Sequence, residues 1–244
     1  MPSDKKNVDL IDRGNKTRNN LGVATFVGLR LLDPWLQYNI LQNSWGTSLI
    51  ERLGGNTLPR GPAWLTNTPI DRLGLSPYRF IIFGMSVGAV IKQTFHMTTI
   101  MQEEMKPAPA AAVGVYNALI NSASSLLFVC AQTSASVNGE HFPQTPLIVG
   151  ASLYAIGLSA EWFSEVQRAA FKRDPRNKGK LYTGGLFGIS RHVNYFSYTV
   201  WRGGYALAAG GLIWVAVVAA WLAFDFTARA IPVLQEYLEE RVSR

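Results

Sequence analysis

The residues best equipped for chemistry lie between positions 161 and 205. Asn177-Lys178-Gly179-Lys180 is followed by Ser190-Arg191-His192-Val193-Asn194-Tyr195-Phe196 and then by Trp201-Arg202-Gly203-Gly204-Tyr205. This order sets cationic and hydrogen-bonding groups directly before a long apolar run. Lys, Arg and Asn side chains reach phosphate oxygens well, and Pro175 and Gly179 make their segment a loop. Thr183-Gly184-Gly185-Leu186-Phe187-Gly188 lets the backbone turn tightly and approach a ligand closely. Arg191, His192, Asn194 and Tyr195 open the next helix, whose N-terminus is an anion site. Just upstream, Glu161 and Glu165 stand at i and i+4, so both carboxylates share one helical face, with Gln167 two residues on. Such a set suits a phosphate-bearing cofactor held at a membrane face and extending into a helical bundle.

The elements that must position these groups are membrane helices. Hydrophobic residues make up 48% of the 244 and charged residues 16%, against roughly 25% charged in a soluble domain. Between 108 and 143 the sole Asp, Glu, Lys or Arg is Glu140, and between 203 and 224 there is none. Apolar windows of about 18 residues or more read as spans, because about 20 helical residues cross the hydrocarbon core. The windows are 21–41 (interrupted by Arg30, Asp33 and Pro34), 80–101, 110–133, 146–160 and 203–224. Gly210-Gly211 offers a turn that would split a longer stretch, 195–231, into a hairpin of two helices. The expectation is an all-α polytopic bundle of five to six transmembrane helices, six being favoured, with both termini on one side. Three regions follow: a polar arm over 1–20, helices over 21–160 with an interfacial, proline-rich loop over 43–78, and a cofactor-binding region over 161–244.

Lys and Arg placement orients the bundle. The arm carries Lys5, Lys6, Arg13, Lys16 and Arg18, and the segment after the fourth span carries seven more between Arg168 and Arg191, whereas 134–145 has none. Basic residues accumulate on the cytoplasmic side, so the N-terminus and 168–191 are expected in the cytosol. The net charge of +7 sits at membrane edges and matches no nucleic-acid motif, so anionic lipid headgroups, not nucleic acid, are its expected partners. The arm lacks the apolar core of a signal peptide. Lone Cys130 in an apolar span reads as packing. Lys92 and His96, one turn apart with Gln93 and Gln102 nearby, form a polar stripe able to line a cavity. His141 falls in the expected luminal loop, and no metal-ligand spacing exists. A nucleophile elbow, a Walker loop and a dinucleotide-fold fingerprint are all missing.

The run Glu161-x3-Glu165-x-Gln167, Phe171-Lys172, Pro175-x-Asn177-x-Gly179-Lys180, Gly185-Leu186-Phe187, Ser190-Arg191-His192, Asn194-Tyr195-Phe196 and Trp201-x-Gly203, closed by Ile231-Pro232-Val233-Leu234-x-Glu236 and Arg241, resembles the C-terminal signature of the steroid 5-alpha-reductase-like membrane family. The likeness covers residues 161–241. It implies an endoplasmic-reticulum enzyme that reduces a carbon–carbon double bond of a steroid, sterol or other lipid with NADPH. Glu165, Gln167, Lys172, Asn177, Lys180, Gly185, Arg191, His192, Asn194 and Tyr195 would then hold the cofactor. Tyr195 or Tyr182 would be the proton donor, with Glu161 as a further catalytic group. Neighbouring branches that look similar here are S-adenosylmethionine-dependent membrane methyltransferases. A second expectation is therefore that activity, and a third is a non-catalytic membrane protein retaining the fold. Four positions depart from the family pattern. Val193 replaces a proline, Ser197-Tyr198 replaces Gly-Glu, and Arg202 replaces a neutral residue, which makes this neighbourhood more positive.

Overall fold

The computed structural model describes residues 10–13, 15–64, 67–136 and 142–242. His141 and residues 1–9 and 14 of the N-terminal arm lie outside them. Its helices are α1 (Asn20–Gln42), α2 (Thr47–Arg52), α3 (Pro77–Phe95), α4 (Pro107–Val129), α5 (Thr145–Arg173), α6 (Val193–Asp225) and α7 (Ile231–Val242). Among the described residues no strand forms, and two isolated bridges, Asp12 with Glu104 and Thr57 with Cys130, are the sole extended pairings. Start signals are local. Asn19 caps α1 by accepting from the Gly22 amide at 2.9 Å, and Pro77, Pro107 and Pro146 sit in the first turns of their helices, where a missing N–H costs nothing.

Four helices are long and apolar enough to cross a membrane: Pro77–Ile100, Pro107–Val129, Thr145–Arg173 and Val193–Glu236. The last bends back on itself. At Gly211 the backbone takes φ 68° and ψ −162°, a conformation that side-chain-bearing residues avoid. The two legs then close face to face, with Ala206 against Val218 and Leu222 and Tyr195 against Phe226 at 4.8 Å between ring centroids. The expected hairpin at Gly210-Gly211 is therefore present. With α1, whose 23 residues also suffice to cross, six runs of crossing length make an all-α polytopic membrane bundle.

The bundle is tightest between α5 and the first leg of α6. A Cβ added at Gly150 would lie 2.6 Å from the Gly204 carbonyl, and one at Gly157 would lie 2.6 Å from the Trp201 amide. Small residues thus let the two backbones touch, the usual device where lipid removes the hydrophobic drive for helix pairing. The second leg lies along α4, where Trp214 donates to Ser124 at 3.0 Å and Trp221 to Tyr116 at 2.7 Å. The 43–78 loop carries α2 and a short 3-10 turn at Pro69–Leu73 and runs into the start of α3. Arg79 secures it by donating to the carbonyls of Leu58 and Pro59 at 2.9 and 3.1 Å.

α1 is polar inside and apolar outside. Leu31, Leu32 and Trp35 are exposed, whereas Arg30, Asp33 and Gln37 are buried. Asp33 accepts from Arg30 at 2.9 Å, Gln37 at 2.7 Å and Asn121 at 2.6 Å. The residues that weaken this window by hydropathy are those that pin it to α4, because a buried charge persists in a bundle only when paired and hydrogen-bonded.

Candidate functional site

A cavity of about 560 Å³ opens between α1, α3, α4, α5 and both legs of α6. One wall is apolar, with Phe26, Met97, Met101, Met105, Val113 and Leu222. The polar part of the lining is built on two facing pairs with one-turn spacing, Lys92 and His96 on α3 and Glu161 and Glu165 on α5. Lys92 donates to both carboxylates, meeting Glu165 Oε2 at 3.1 Å and Glu161 Oε1 more closely. His96 Nδ1 pairs with Glu165 Oε2 at 2.7 Å, and the Trp201 indole donates to Glu161 Oε2 at 2.6 Å. Side-chain exposure separates the roles: 4% for Lys92 and 6–7% for the carboxylates, but 30% for His96. Only the imidazole of this cluster is open to a ligand, through Nε2, because Nδ1 is occupied. The helix changes to a π turn over His96–Ile100 at this point, a distortion frequent at functional sites.

The rest of the polar wall is held by Arg202. Its guanidinium donates from Nη1 to Asn121 Oδ1 at 2.7 Å, from Nη2 to Asn117 Oδ1, and from Nε to the Tyr198 hydroxyl at 3.2 Å. It also lies 4.4 Å from the centre of the Trp201 ring. Gln93 donates to the same Asn117 oxygen at 2.8 Å. Residues 10–13 cover one end of the cavity with Leu10, Ile11 and Arg13. Glu104 ties this segment down, accepting from Asn15 at 2.6 Å and Asn19 at 3.0 Å.

The residues singled out from sequence fall into three groups. Glu161, Glu165 and Tyr195 line the cavity, as do Lys92 and His96. Lys172 instead lines a cleft of about 50 Å³ that shares His96 and Met101 with the cavity and adds Glu103 and Arg168. There burial pushes the Glu103 carboxyl up, but the amides of Glu103 and Gln102 and the charges of Lys172 and Arg168 outweigh it and hold it below the ordinary 4.5. The third group lies in and around the 174–192 loop, at the same end of the bundle. Gln167 fills the space beside Gly185, 2.2 Å from where a Cβ would stand, and Gly185 has φ +54°. Asn177 donates to the Phe171 carbonyl at 3.1 Å. Tyr182 packs between Phe171 and Phe187 at 5.0 and 5.8 Å. Lys180 and Arg191 are exposed and Asn194 is half-buried. His192 stacks on Tyr195 at 5.8 Å with its Nδ1 buried and unpartnered. Among the described residues no cluster could hold a metal. Sequence reasoning missed Tyr116, Asn117 and Asn121; polar residues recurring every three to four positions in the apolar window of α4 were the available signal.

Fold and site thus define a polytopic membrane protein whose helices enclose a half-apolar cavity with a buried Lys–His–carboxylate cluster. Residues 97–242 match the family described as "Protein of unknown function (DUF1295)", and the chain belongs to that family, which includes steroid 5-alpha-reductase-like proteins. A relative, the probable O-methyltransferase ustE of Ustilaginoidea virens, is 40% identical over 242 residues, covering 98% of this chain and 85% of that protein. No solved structure matches. Of the two enzymatic expectations, these comparisons favour methyl transfer over reduction.

Proposed function

We propose that the protein is an S-adenosylmethionine-dependent membrane O-methyltransferase acting on a hydroxyl of an apolar small molecule. The observation that carries this reading is the 40% identity, across nearly the whole chain, to a protein named as a probable O-methyltransferase. The cavity supports it. Its volume of about 560 Å³ falls within the roughly 300–1,000 Å³ of small-molecule sites. Its lining holds three acids, Glu161, Glu165 and Asp225, and three permanent cations, Lys92, Arg13 and Arg229, so it carries no excess of positive charge. A cofactor with several phosphates needs an excess of cations, and Lys180 and Arg191 lie outside the lining. A sulfonium cation suits a near-neutral pocket with the aromatic faces of Tyr195 and Phe226 and nearby carboxylates. The unpartnered His192 Nδ1 beside Tyr195 is a polar atom that a bound nucleoside would satisfy. Tyr195, Phe226 and His192 would therefore hold the adenosine side.

When bound, S-adenosylmethionine supplies a methyl on a positive sulfur whose C–S bond breaks as the new C–O bond forms, releasing a neutral thioether. The chain supplies proton removal and orientation. His96 takes the hydroxyl proton at Nε2. Glu165 fixes the tautomer by accepting from Nδ1–H and stabilises the imidazolium, the usual role of a carboxylate behind a catalytic histidine. Lys92 holds Glu165 and Glu161 in place. The apolar wall keeps water from competing for the methyl. In the same reading, the 174–192 loop and residues 10–19 face the cytosol, in accord with the distribution of Lys and Arg, and the substrate partitions from the membrane. The reading is tested by calorimetry on the protein in lipid nanodiscs. S-adenosylhomocysteine should bind and NADPH should not; binding of NADPH alone would return the reductase reading.

A further inference from the structure

Two tyrosine hydroxyls on the cavity wall are engaged from behind. Tyr198, where the resembled family carries an acid, accepts from Arg202 Nε at 3.2 Å. Tyr116 accepts from the Trp221 indole at 2.7 Å. Both line the cavity, and the two are within electrostatic reach of each other and of Arg202. A hydroxyl has one proton and two lone pairs. With an N–H on a lone pair of each oxygen, and no protein acceptor for either proton among the described residues, both O–H groups are left to donate into the cavity.

The charges around this pair decide what they donate to. On α3 and α5, Lys92 and His96 are engaged with Glu161 and Glu165. At the end of α6, Asp225 pairs with Arg229 at 2.7 Å. On α1, Asp33 pairs with Arg30 and reaches Arg202 only through Asn121. Arg13 stands at the covered end, and α4 contributes no charge to the lining. Arg202 is fully buried and touches amides, aromatic rings and a hydroxyl but no carboxylate. Its charge acts on Tyr198 and Tyr116, the two that line the cavity, as well as on Tyr205, Tyr154 and Arg30 outside the lining.

The geometry points to a two-donor oxyanion pocket, Tyr116 and Tyr198 backed by Arg202, that binds the ligand's hydroxyl as its anion. The substrate class is then an acidic hydroxyl, a phenol or enol, and not a simple alcohol. The proton leaves the hydroxyl for His96 Nε2, and the electron pair stays on oxygen, where the two O–H groups and the guanidinium stabilise it. Tyr116 and Tyr198 touch the reacting oxygen; Arg202 is a positioning residue. Naming that oxygen as the methyl acceptor rests on the methyltransferase reading, but the pocket does not.

The test uses a chromogenic phenol, 4-nitrophenol, whose phenolate absorbs in the visible. It is titrated with pH in nanodiscs holding the full chain, without S-adenosylmethionine, for wild type, Tyr116→Phe, Tyr198→Phe and the double variant. These replacements keep ring packing, and folding is checked by thermal unfolding. In wild type, the bound probe should ionise at a pH lower by about one unit than probe in empty nanodiscs, as for an acid beside a cation. Each single variant should lose part of that shift and the double variant all of it. A probe that fails to bind or ionise in wild type, or that ionises equally in the double variant, overturns the proposal. A shift in a protein that binds no S-adenosylhomocysteine keeps the pocket and removes the transferase reading, and the reverse pattern does the opposite.

Discussion

Replacing Lys92 by methionine removes the single cation that serves two buried carboxylates. The ammonium lies 3.1 Å from Glu165 and nearer still to Glu161. At an effective dielectric of about 20, one unit pair at that separation is worth about 5 kcal/mol. Trp201 and His96 remain to hydrogen-bond Glu161 and Glu165, which offsets part of the loss. Breaking a buried pair from one side commonly costs about 3–5 kcal/mol, because an uncompensated charge stays behind. At about 2–4 °C per kcal/mol for a chain of this size, Lys92→Met should lower the unfolding temperature by about 6–20 °C. The measurement is fluorescence-monitored unfolding in lipid nanodiscs. Lys92→Met combined with Glu161→Gln removes one acid along with the cation and should recover at least half of the loss. If Lys92→Met unfolds within about 2 °C of wild type, or the second change recovers nothing, the cluster does not carry the electrostatic load argued for it.

His96→Ala should leave S-adenosylhomocysteine affinity within twofold and lower methyl transfer by about 10²–10⁴-fold, the range for a lost general base; equal loss of affinity and rate would make His96 structural. Gly157→Val should prevent α5 from meeting α6, since a Cβ there lies 2.6 Å from the Trp201 amide and 2.9 Å from the Ser197 carbonyl. Gly84→Val, with open space around it, should fold normally, and size-exclusion profiles of the two proteins decide the point. Glu103 is held below its ordinary 4.5 in the folded chain, so folding favours its ionised form. Its contribution to stability is complete above that value and is lost as pH falls through the folded one. Unfolding temperatures measured against pH should therefore drop less steeply below 4.5 in Glu103→Gln than in wild type.

Features written locally along the chain were legible in the sequence. The charge-free run 203–224 and the Gly210-Gly211 pair announce a hairpin, and Gly211 takes the positive φ that the turn demands. Glu161 with Glu165, and Lys92 with His96, each keep one-turn spacing, so each pair was visible as a face. That the two faces meet was not visible, because 69 residues separate Lys92 from Glu161. The same holds for Arg202, which reaches Asn121 and Asn117 across 81 and 85 positions. Arg30 and Asp33 read as interruptions of the first window because hydropathy averages over a helix and discards the face on which a charge lies. The 174–192 segment, richest in chemistry by residue type, forms the loops at one end, while the cavity is built mostly from helices that precede and follow it.

The most direct measurement is radiolabelled methyl transfer from S-adenosylmethionine to a panel of phenols and matched alcohols, using the chain in nanodiscs, with His96→Ala alongside. Phenols should give methyl ethers, alcohols little, and the variant should lose the product. Binding of NADPH with reduction of a lipid double bond, and no methyl transfer to any hydroxyl, would contradict it.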